Sequence, residues 1–419
     1  MKIQDKFLKG AQTIQNNIYV KSISDGLLSS MSIIILGAIG SLINNLQIPA
    51  YQKLLVSLNL KSILSIPANV TINVLSLYAV FLVANKFCEL SGNENKKYGI
   101  EAGIIALVSF LIVTPFNTDK SSSIVSLPSD WLGAKGLFTS FLVALIVAKL
   151  YLFLKNKGWT IKMPEGVPPT VSNSFTALIP SFIIAFIFLI TRYLFSLTKF
   201  QSLHNFIFTI ISTPLTLLSN NAFTMILLVL ITHLLWIFGI HGVMIVVSVF
   251  IGIWMPLDAA NLAAFNAGHA IPNIYTGAIY GMSTFAGSGL TIGLCIAMLR
   301  AHKQQYRTLG KLSIIPNLFG INEPLVFGTP IVMNPILAIP FILTPLAAII
   351  IAILGIKVGI LPVLPGIQIP TGTPIIVHGF LAGGGSIAWA IYEFLICVLS
   401  YFIYLPFFKK IDSEPETNN

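Results

Sequence analysis

Charged side chains are the scarcest class in this sequence. Only 9% of its 419 residues are Asp, Glu, Lys or Arg, against 55% hydrophobic residues and a mean hydropathy of +0.88. A soluble domain carries about 25% charged residues, because its surface must stay wetted. So large a deficit excludes a soluble enzyme with an enlarged core and leaves a polytopic membrane protein. The three cysteines, Cys88, Cys295 and Cys397, stand far apart in or beside apolar segments, which suggests neither a disulfide framework nor a zinc site. No HExxH pair or other His/Cys spacing suits a metal. The only Gly-Lys dipeptide, Gly310–Lys311, runs into Leu312, so there is no Walker A loop, and no cofactor is implied. A cleavable signal peptide is not expected either, because the first long apolar run follows a polar stretch and lacks a small-residue cleavage site.

The charge that is present is mostly positive, giving a net +10 with 24 Lys and Arg. These residues cluster in short stretches between apolar runs, as orientation in a membrane requires, and nucleic acid is excluded as a partner. Residues 1–20 read as an amphipathic helix lying in the membrane interface: Ile3, Phe7, Ala11, Ile14 and Ile18 recur at helical spacing with Lys2, Lys6 and Lys9 opposite. A spanning helix needs about 20 apolar residues. About ten candidates follow, near 27–46, 69–88, 98–116, 136–154, 173–197, 221–240, 242–256, 284–299, 334–355 and 386–408. With the N-terminus inside, the inner stretches of the first half hold eleven lysines, among them Lys21, Lys86, Lys96, Lys97, Lys149 and Lys155. The outer ones hold six basic residues, including Lys120, Lys135 and Arg192, so both termini are expected in the cytoplasm.

The chain changes character near residue 200. Residues 1–199 read as ordinary spans and are expected to be scaffold, whereas from residue 200 to 410 Gly, Pro, Asn and Thr interrupt the apolar segments. Irregular backbone at membrane depth survives only inside protein or beside a watery cavity, and broken helices mark transporter substrate sites. This half is expected to handle substrate, and residues 411–419 to form a disordered tail. Within it, "FGINEPLVFGTPIVMNP" (319–335) holds Glu323, the only charged residue between Leu312 and Ile356. A carboxylate in so apolar a setting costs about 2.5–3.5 kcal/mol and usually faces a pathway. With Asn322 and Asn334 it suggests a polar pocket for a hydroxyl-rich neutral ligand, with Pro324, Pro330 and Pro335 breaking the helix around it.

"THLLWIFGIHG" (232–242) adds His233, Trp236 and His241, with Gly239 and Gly242 allowing close backbone approach. The glycine-rich stretches "FAGSGLTIG" (285–293) and "HGFLAGGGSIAW" (378–389) fit either tight helix packing or re-entrant hairpin tips. Asp258, after Pro256, reads as a helix cap and Glu393 as one half of a pair within the bundle. The set suits an uncharged polar solute such as a sugar, driven by an ion gradient or by another protein.

These residues carry a resemblance. "GINEPLVFGTPIVMNP", with "YVKSISDGLLSSM" (19–31), "KMPEGVPPTVSNSFTALIP" (162–180) and "WIFGIHG" (236–242), resembles the membrane-embedded IIC subunits of the bacterial phosphotransferase system, in the lactose/cellobiose/diacetylchitobiose family. The resemblance runs in order over nearly the whole chain. It implies an all-α polytopic membrane protein: about ten transmembrane helices, two re-entrant hairpins and an N-terminal amphipathic helix. It also implies a homodimer in membrane lipid and inward movement of a β-linked disaccharide, whose 6-hydroxyl is presented to a phosphocysteine on a separate IIB subunit, itself recharged through IIA. By position, Glu323 would hydrogen-bond and help deprotonate that hydroxyl, with His241 as companion and Asn322 in support. Gly242, Ser288, Thr373 and His378 complete the expected substrate-binding set. One departure concerns "IPTGTPIIVHG" (369–379), where Thr371 and Gly372 stand in a region in which relatives carry a tryptophan. "YGMST" (280–284) matches part of a IIB active-site loop but lacks its cysteine and is a coincidence. An ion-coupled sugar transporter, with Glu323 as proton site, is the rival reading. A non-transporting membrane subunit is a second.

Overall fold

Apolar segments in lipid must satisfy every backbone group internally, and in the computed structural model of the protein they do so as helices. The structure describes residues 17–45, 49–92, 94–118, 125–161, 164, 169–212, 221–238, 241–329, 331, 334–370 and 372–413. Its principal helices in the first half are α1 (Ile18–Ser29), α2 (Met31–Asn45), α3 (Pro49–Ser57), α4 (Leu60–Val70), α5 (Leu75–Leu90), α6 (Gly99–Val113), α7 (Leu137–Asn156), α8 (Pro169–Ser196) and α9 (Leu203–Ile207). There follow α10 (Ala222–Ile237), α11 (Gly242–Asn266), α12 (Gly277–Gly281), α13 (Ile292–Met298) and α14 (Gln304–Leu318). The chain ends with α15 (Glu323–Gly328), α16 (Pro335–Lys357), α17 (Val377–Ala382) and α18 (Ile387–Ser413). A two-residue antiparallel ladder, β1 (Asn117–Thr118) with β2 (Val125–Ser126), is the only strand pairing among the described residues.

The expected spans fall on helix over most of their described residues, except 284–299, which is α-helical only over Ile292–Met298, and not all are long. Among the described residues six helical stretches are long and apolar enough to cross a membrane: Leu60–Leu90, Ala134–Asn156, Phe175–Ser196, Gly242–Asn266, Pro335–Lys357 and Ile387–Ser413. The pair Ile18–Ser29 and Met31–Asn44, bent by 47°, makes a seventh if counted as one span. The other three are shorter. α6 has 15 residues and α10 has 16, while the 284–299 segment breaks at two left-handed glycines, Gly287 (φ 79°) and Gly289 (φ 78°). The expected amphipathic helix at the N-terminus lies largely outside the described residues, which begin at Asn17. The Asn17 side chain caps α1 by accepting the Tyr19 and Val20 N–H groups at 3.0 and 3.3 Å.

The chain clusters into two compact units. One comprises Met1–Gly37, Pro67–Leu217 and Ser248–Ala259, the other Ala38–Ile66, Leu218–Val247 and Ala260–Asn419. In the first, α5 packs against α1, α6 and α7. Its small buried face, Ser76, Ala79, Val80, Val83 and Ala84, repeats at helical spacing. Glycine sets the separation: a Cβ on Gly26 would lie 2.7 Å from Val83 Cγ2, and one on Gly103 2.7 Å from the Phe81 ring. Without water to drive association, such close van der Waals contact supplies much of the attraction. Pro256 does not end its helix, and Asp258 sits buried in the interior of α11 rather than capping it.

In the second unit α18 packs along α13 and α16, and α10 lies on α16. Gly293 allows the α13–α18 approach, since a Cβ there would run into the backbone of Ser400 and Tyr401. Trp236, Leu294, Met298, Leu337, Phe341 and Tyr404 form its buried centre. The helix α18 runs on to Ser413, so the first three residues of the expected tail are ordered. The Asp412 carboxylate accepts the His302 and Lys303 N–H groups at 2.8 and 3.0 Å.

Candidate functional site

All the residues singled out above for substrate lie in the second unit, where short helices and left-handed turns interrupt the long ones. The prolines of 319–335 start helices rather than merely breaking them. Pro324 stands in the first turn of α15 and Pro335 in that of α16, where a missing N–H costs nothing. Glu323 is therefore the first residue of a short helix; its side chain lies outside the described residues, as does Pro330.

Asn322, 3% exposed, is spent on the protein itself. Its amide nitrogen donates to the Ser288 carbonyl at 2.6 Å and to Thr291 Oγ1 at 2.8 Å. Thr291 Oγ1 also accepts from Asn317 Nδ2 at 3.2 Å. The segment that Asn322 grips, 287–291, has unusual backbone: Gly287, Gly289 and Leu290 (φ 47°) all have positive φ. A Cβ on Gly287 would overlap the Asn322 side chain, so glycine is required there both for conformation and for space. From the other side Tyr404 Oη donates to the Gly289 carbonyl at 2.8 Å and Ser400 Oγ to that of Leu290 at 2.6 Å. A loop without strand or helix partners thus has its carbonyls satisfied by side chains. Tyr404 and Ser400 do not stand out in the sequence. Their only signal is a pair of hydroxyls four residues apart on a largely apolar helix.

Asn334 serves a separate purpose, capping α16 with a side chain that accepts the Ile336 and Leu337 N–H groups at 2.9 and 3.1 Å. Its Oδ1 is thereby committed to the N-terminus of α16.

His241 is exposed and heads α11, its Nδ1 accepting the Met244 N–H at 3.3 Å, and its ring lies 4.5 Å from that of Trp236. Trp236 in turn meets Phe327 of α15 at 6.2 Å. Gly242 is a packing glycine, since a Cβ would collide with the Thr232 carbonyl. His233 is fully buried, its Nδ1 bonded at 2.7 Å to the Val229 carbonyl one turn back, so it belongs to its own helix.

Ser288 lies in the gripped loop and offers its carbonyl to Asn322. Thr373 Oγ1 closes a turn on the Pro370 carbonyl at 2.7 Å. His378 Nδ1 lies 2.6 Å from the wholly buried Glu393 carboxylate, and its ring faces that of Phe285 at 6.5 Å and 20°. Glu393, expected to pair within the bundle, pairs with this histidine. Thr371 lies outside the described residues; Gly372 is left-handed at φ 85°, and a Cβ there would meet nothing within 4 Å.

Chemically the assembly offers imidazoles, amides, hydroxyls and aromatic faces on broken backbone. Among the described residues no three His, Cys, Asp or Glu side chains gather as a metal site. The contacts join Asn322, Ser288, Phe285 and His378 in one chain and His241, Trp236 and Phe327 in another. The two meet in α15 and the Asn322 that precedes it.

Comparison with known proteins is consistent along the whole chain. Residues 24–345 match the family described as "Phosphotransferase system, EIIC". The lichenan permease IIC component of Bacillus subtilis is 34% identical over 428 residues, covering 98% of this chain and 93% of the relative. The cellobiose-specific EIIC component of Geobacillus stearothermophilus is 33% identical, covering 98% and 94%. The crystal structure of the transporter ChbC, the IIC component of an N,N'-diacetylchitobiose-specific phosphotransferase system, superposes with a TM-score of 0.89. It is 36% identical and the match covers 98% of each chain.

Proposed function

The chain belongs to the EIIC family of the phosphotransferase system, a membrane-embedded sugar permease component that works with IIB and IIA partners, and on that premise we propose that its cargo is a β-linked disaccharide. The class is that of cellobiose, diacetylchitobiose and lactose. The observation that carries this is the end-to-end likeness, 98% of each chain, to the diacetylchitobiose IIC structure, joined by relatives named for lichenan and cellobiose. A site made of amides, imidazoles and hydroxyls beside aromatic rings is the chemistry such a solute needs.

In the proposed reaction the sugar moves inward and its 6-hydroxyl meets a phosphocysteine on IIB. The sulfur–phosphorus bond breaks as the oxygen–phosphorus bond forms, and the thiolate stays on IIB. The hydroxyl proton passes to Glu323, with His241 beside it and Asn322 fixing the backbone from which Glu323 starts. Such general-base help is worth about 10²–10⁴-fold. Residues 1–199 serve as scaffold and dimer contact and 200–410 carry the sugar. Both termini face the cytoplasm, where separate IIB and IIA chains dock. The lactose-specific EIICB component of Staphylococcus aureus is 30% identical, and the match covers 96% of this chain but 70% of that relative, which by its name combines the C and B parts.

The test is uptake by the purified protein in liposomes, across a β-disaccharide panel, with and without phosphorylated IIB. Sugar phosphate that appears only with phospho-IIB is the expected result. Free sugar accumulating on a proton gradient without IIB would overturn it and make Glu323 a proton carrier.

A further inference from the structure

The pair His378–Glu393 has no part in the reaction as described, yet its carboxylate is fully buried in the second unit. Glu393 is 0% exposed, and its two oxygens face two different donors. Oε1 is 2.6 Å from His378 Nδ1, and Oε2 accepts the Ile376 N–H at 2.7 Å. A carboxylate holding two donors only accepts, so Nδ1 carries the proton and bonds to Glu393. The other ring nitrogen, Nε2, makes no hydrogen bond among the described residues, and the His378 side chain is 19% exposed.

The backbone beside it is strained. Ile376 has φ 76° and ψ −48°, a conformation costly for any L residue and rarer still for a β-branched one. Its side chain is 43% exposed, so packing does not force it there. What does hold it is its N–H bond to Glu393, together with the Ile375 N–H bond to the Leu318 carbonyl at 2.9 Å. Gly379 makes room, since a Cβ would lie 2.7 Å from Glu393 Cδ. Strain of this kind persists where the surroundings over-determine it, and it clusters at ligand sites.

Location gives the strain a purpose. The His378 ring lies along Phe285, which opens the loop gripped by Asn322, the residue next to Glu323. A Cβ on Gly320 would lie 2.8 Å from the Phe285 carbonyl, so the 318–322 turn and the 375–378 turn flank the same loop.

We infer that Glu393 is a positioning residue for the sugar site: it holds the strained 375–378 turn and fixes His378 with Nε2 unprotonated, as an acceptor for a sugar hydroxyl. This deepens the disaccharide reading and rests on it. Glu393 touches no sugar in this arrangement and acts through His378.

Binding of cellobiose and of N,N'-diacetylchitobiose to the full-length protein in detergent, by calorimetry, tests it on wild type, E393Q, E393A, I376G and E393A/I376G. Nitrogen-15 spectra of the histidines accompany each measurement. In E393Q the amide can accept from Ile376 but must donate to Nδ1, which moves the His378 proton to Nε2. The expected result is that tautomer change together with an affinity loss of about tenfold or more, with the protein still folded. I376G relieves the strain, so in E393A it restores the thermal midpoint without restoring affinity. Affinity within about twofold of wild type in E393Q despite the moved proton, or affinity restored to E393A by I376G, would overturn the inference and leave Glu393 a purely structural residue. A wild-type protein that binds neither of these sugars nor lactose overturns the disaccharide reading, and this inference with it. That result is distinct from one in which wild type and E393Q bind alike.

Discussion

Asn322 and Asn334 stand twelve residues apart in one motif, and exchanging each for aspartate separates two jobs that look alike in sequence. At 334 the side chain only accepts, from Ile336 and Leu337 N–H at 2.9 and 3.1 Å. Aspartate caps as well as asparagine, and its charge at a helix N-terminus adds a few tenths of a kcal/mol, up to about 1 kcal/mol. At 322 the side chain donates twice, to the Ser288 carbonyl and to Thr291 Oγ1. An ionised aspartate there loses the first bond and sets a carboxylate against a carbonyl that sat 2.6 Å from a donor. A protonated one keeps a single donation. Either way a buried bond worth about 1 kcal/mol is lost, and an acceptor left unsatisfied costs about 1–3 kcal/mol more. N322D should therefore lose roughly 2–4 kcal/mol, while N334D stays within about 0.5 kcal/mol of wild type or gains slightly. Thermal unfolding in detergent measures the stability, and calorimetric titration with cellobiose measures the site. N322D is expected to lower both the midpoint and the affinity, because the 287–291 loop loses its clamp. Equal damage from the two changes, or a harmless N322D, would refute the assignment of donor and acceptor roles.

Three further outcomes follow from the same geometry. Glu323→Gln should lower sugar phosphorylation by phospho-IIB by about 10²–10⁴-fold, with sugar binding also weakened; unchanged turnover would remove Glu323 from the chemistry. Tyr404→Phe leaves the Gly289 carbonyl without its 2.8 Å donor in a buried site, and should cost about 1–3 kcal/mol in thermal unfolding, with α18 otherwise intact. Gly242→Ala places a methyl on the Thr232 carbonyl and should destabilise by about 1–3 kcal/mol, whereas alanine at Gly281, where a Cβ meets nothing within 4 Å, should be tolerated.

What the sequence could announce depended on whether a residue's role is local. Hydropathy marked the helices because a span must be apolar along its own length, and the expected segments are helical over most of their described residues except 284–299, where only Ile292–Met298 is α-helix. It could not say which of them are complete spans. The break at 287–290 is set by left-handed glycines locked by Asn322, Ser400 and Tyr404, contacts that reach between 31 and 115 residues along the chain. Glu323 and His241 were legible as polar residues in apolar surroundings, where the cost of burial makes their presence informative. Glu393 met the same criterion but sits in the middle of a long, strongly apolar helix, and nothing nearby in sequence suggests a partner. His378 is fifteen residues away, across a break that the sequence marks only by its glycines. The strain at Ile376 was invisible for a related reason. An isoleucine in "TGTPIIVHG" reads as ordinary apolar filling, and only the paired acceptor on another helix shows that its backbone is held against preference. The features that specify this site are thus mostly donors and acceptors matched across helices. A relative that kept the Asn-Glu-Pro motif but lost Tyr404 or Glu393 would keep the site's appearance while losing the bonds that shape it.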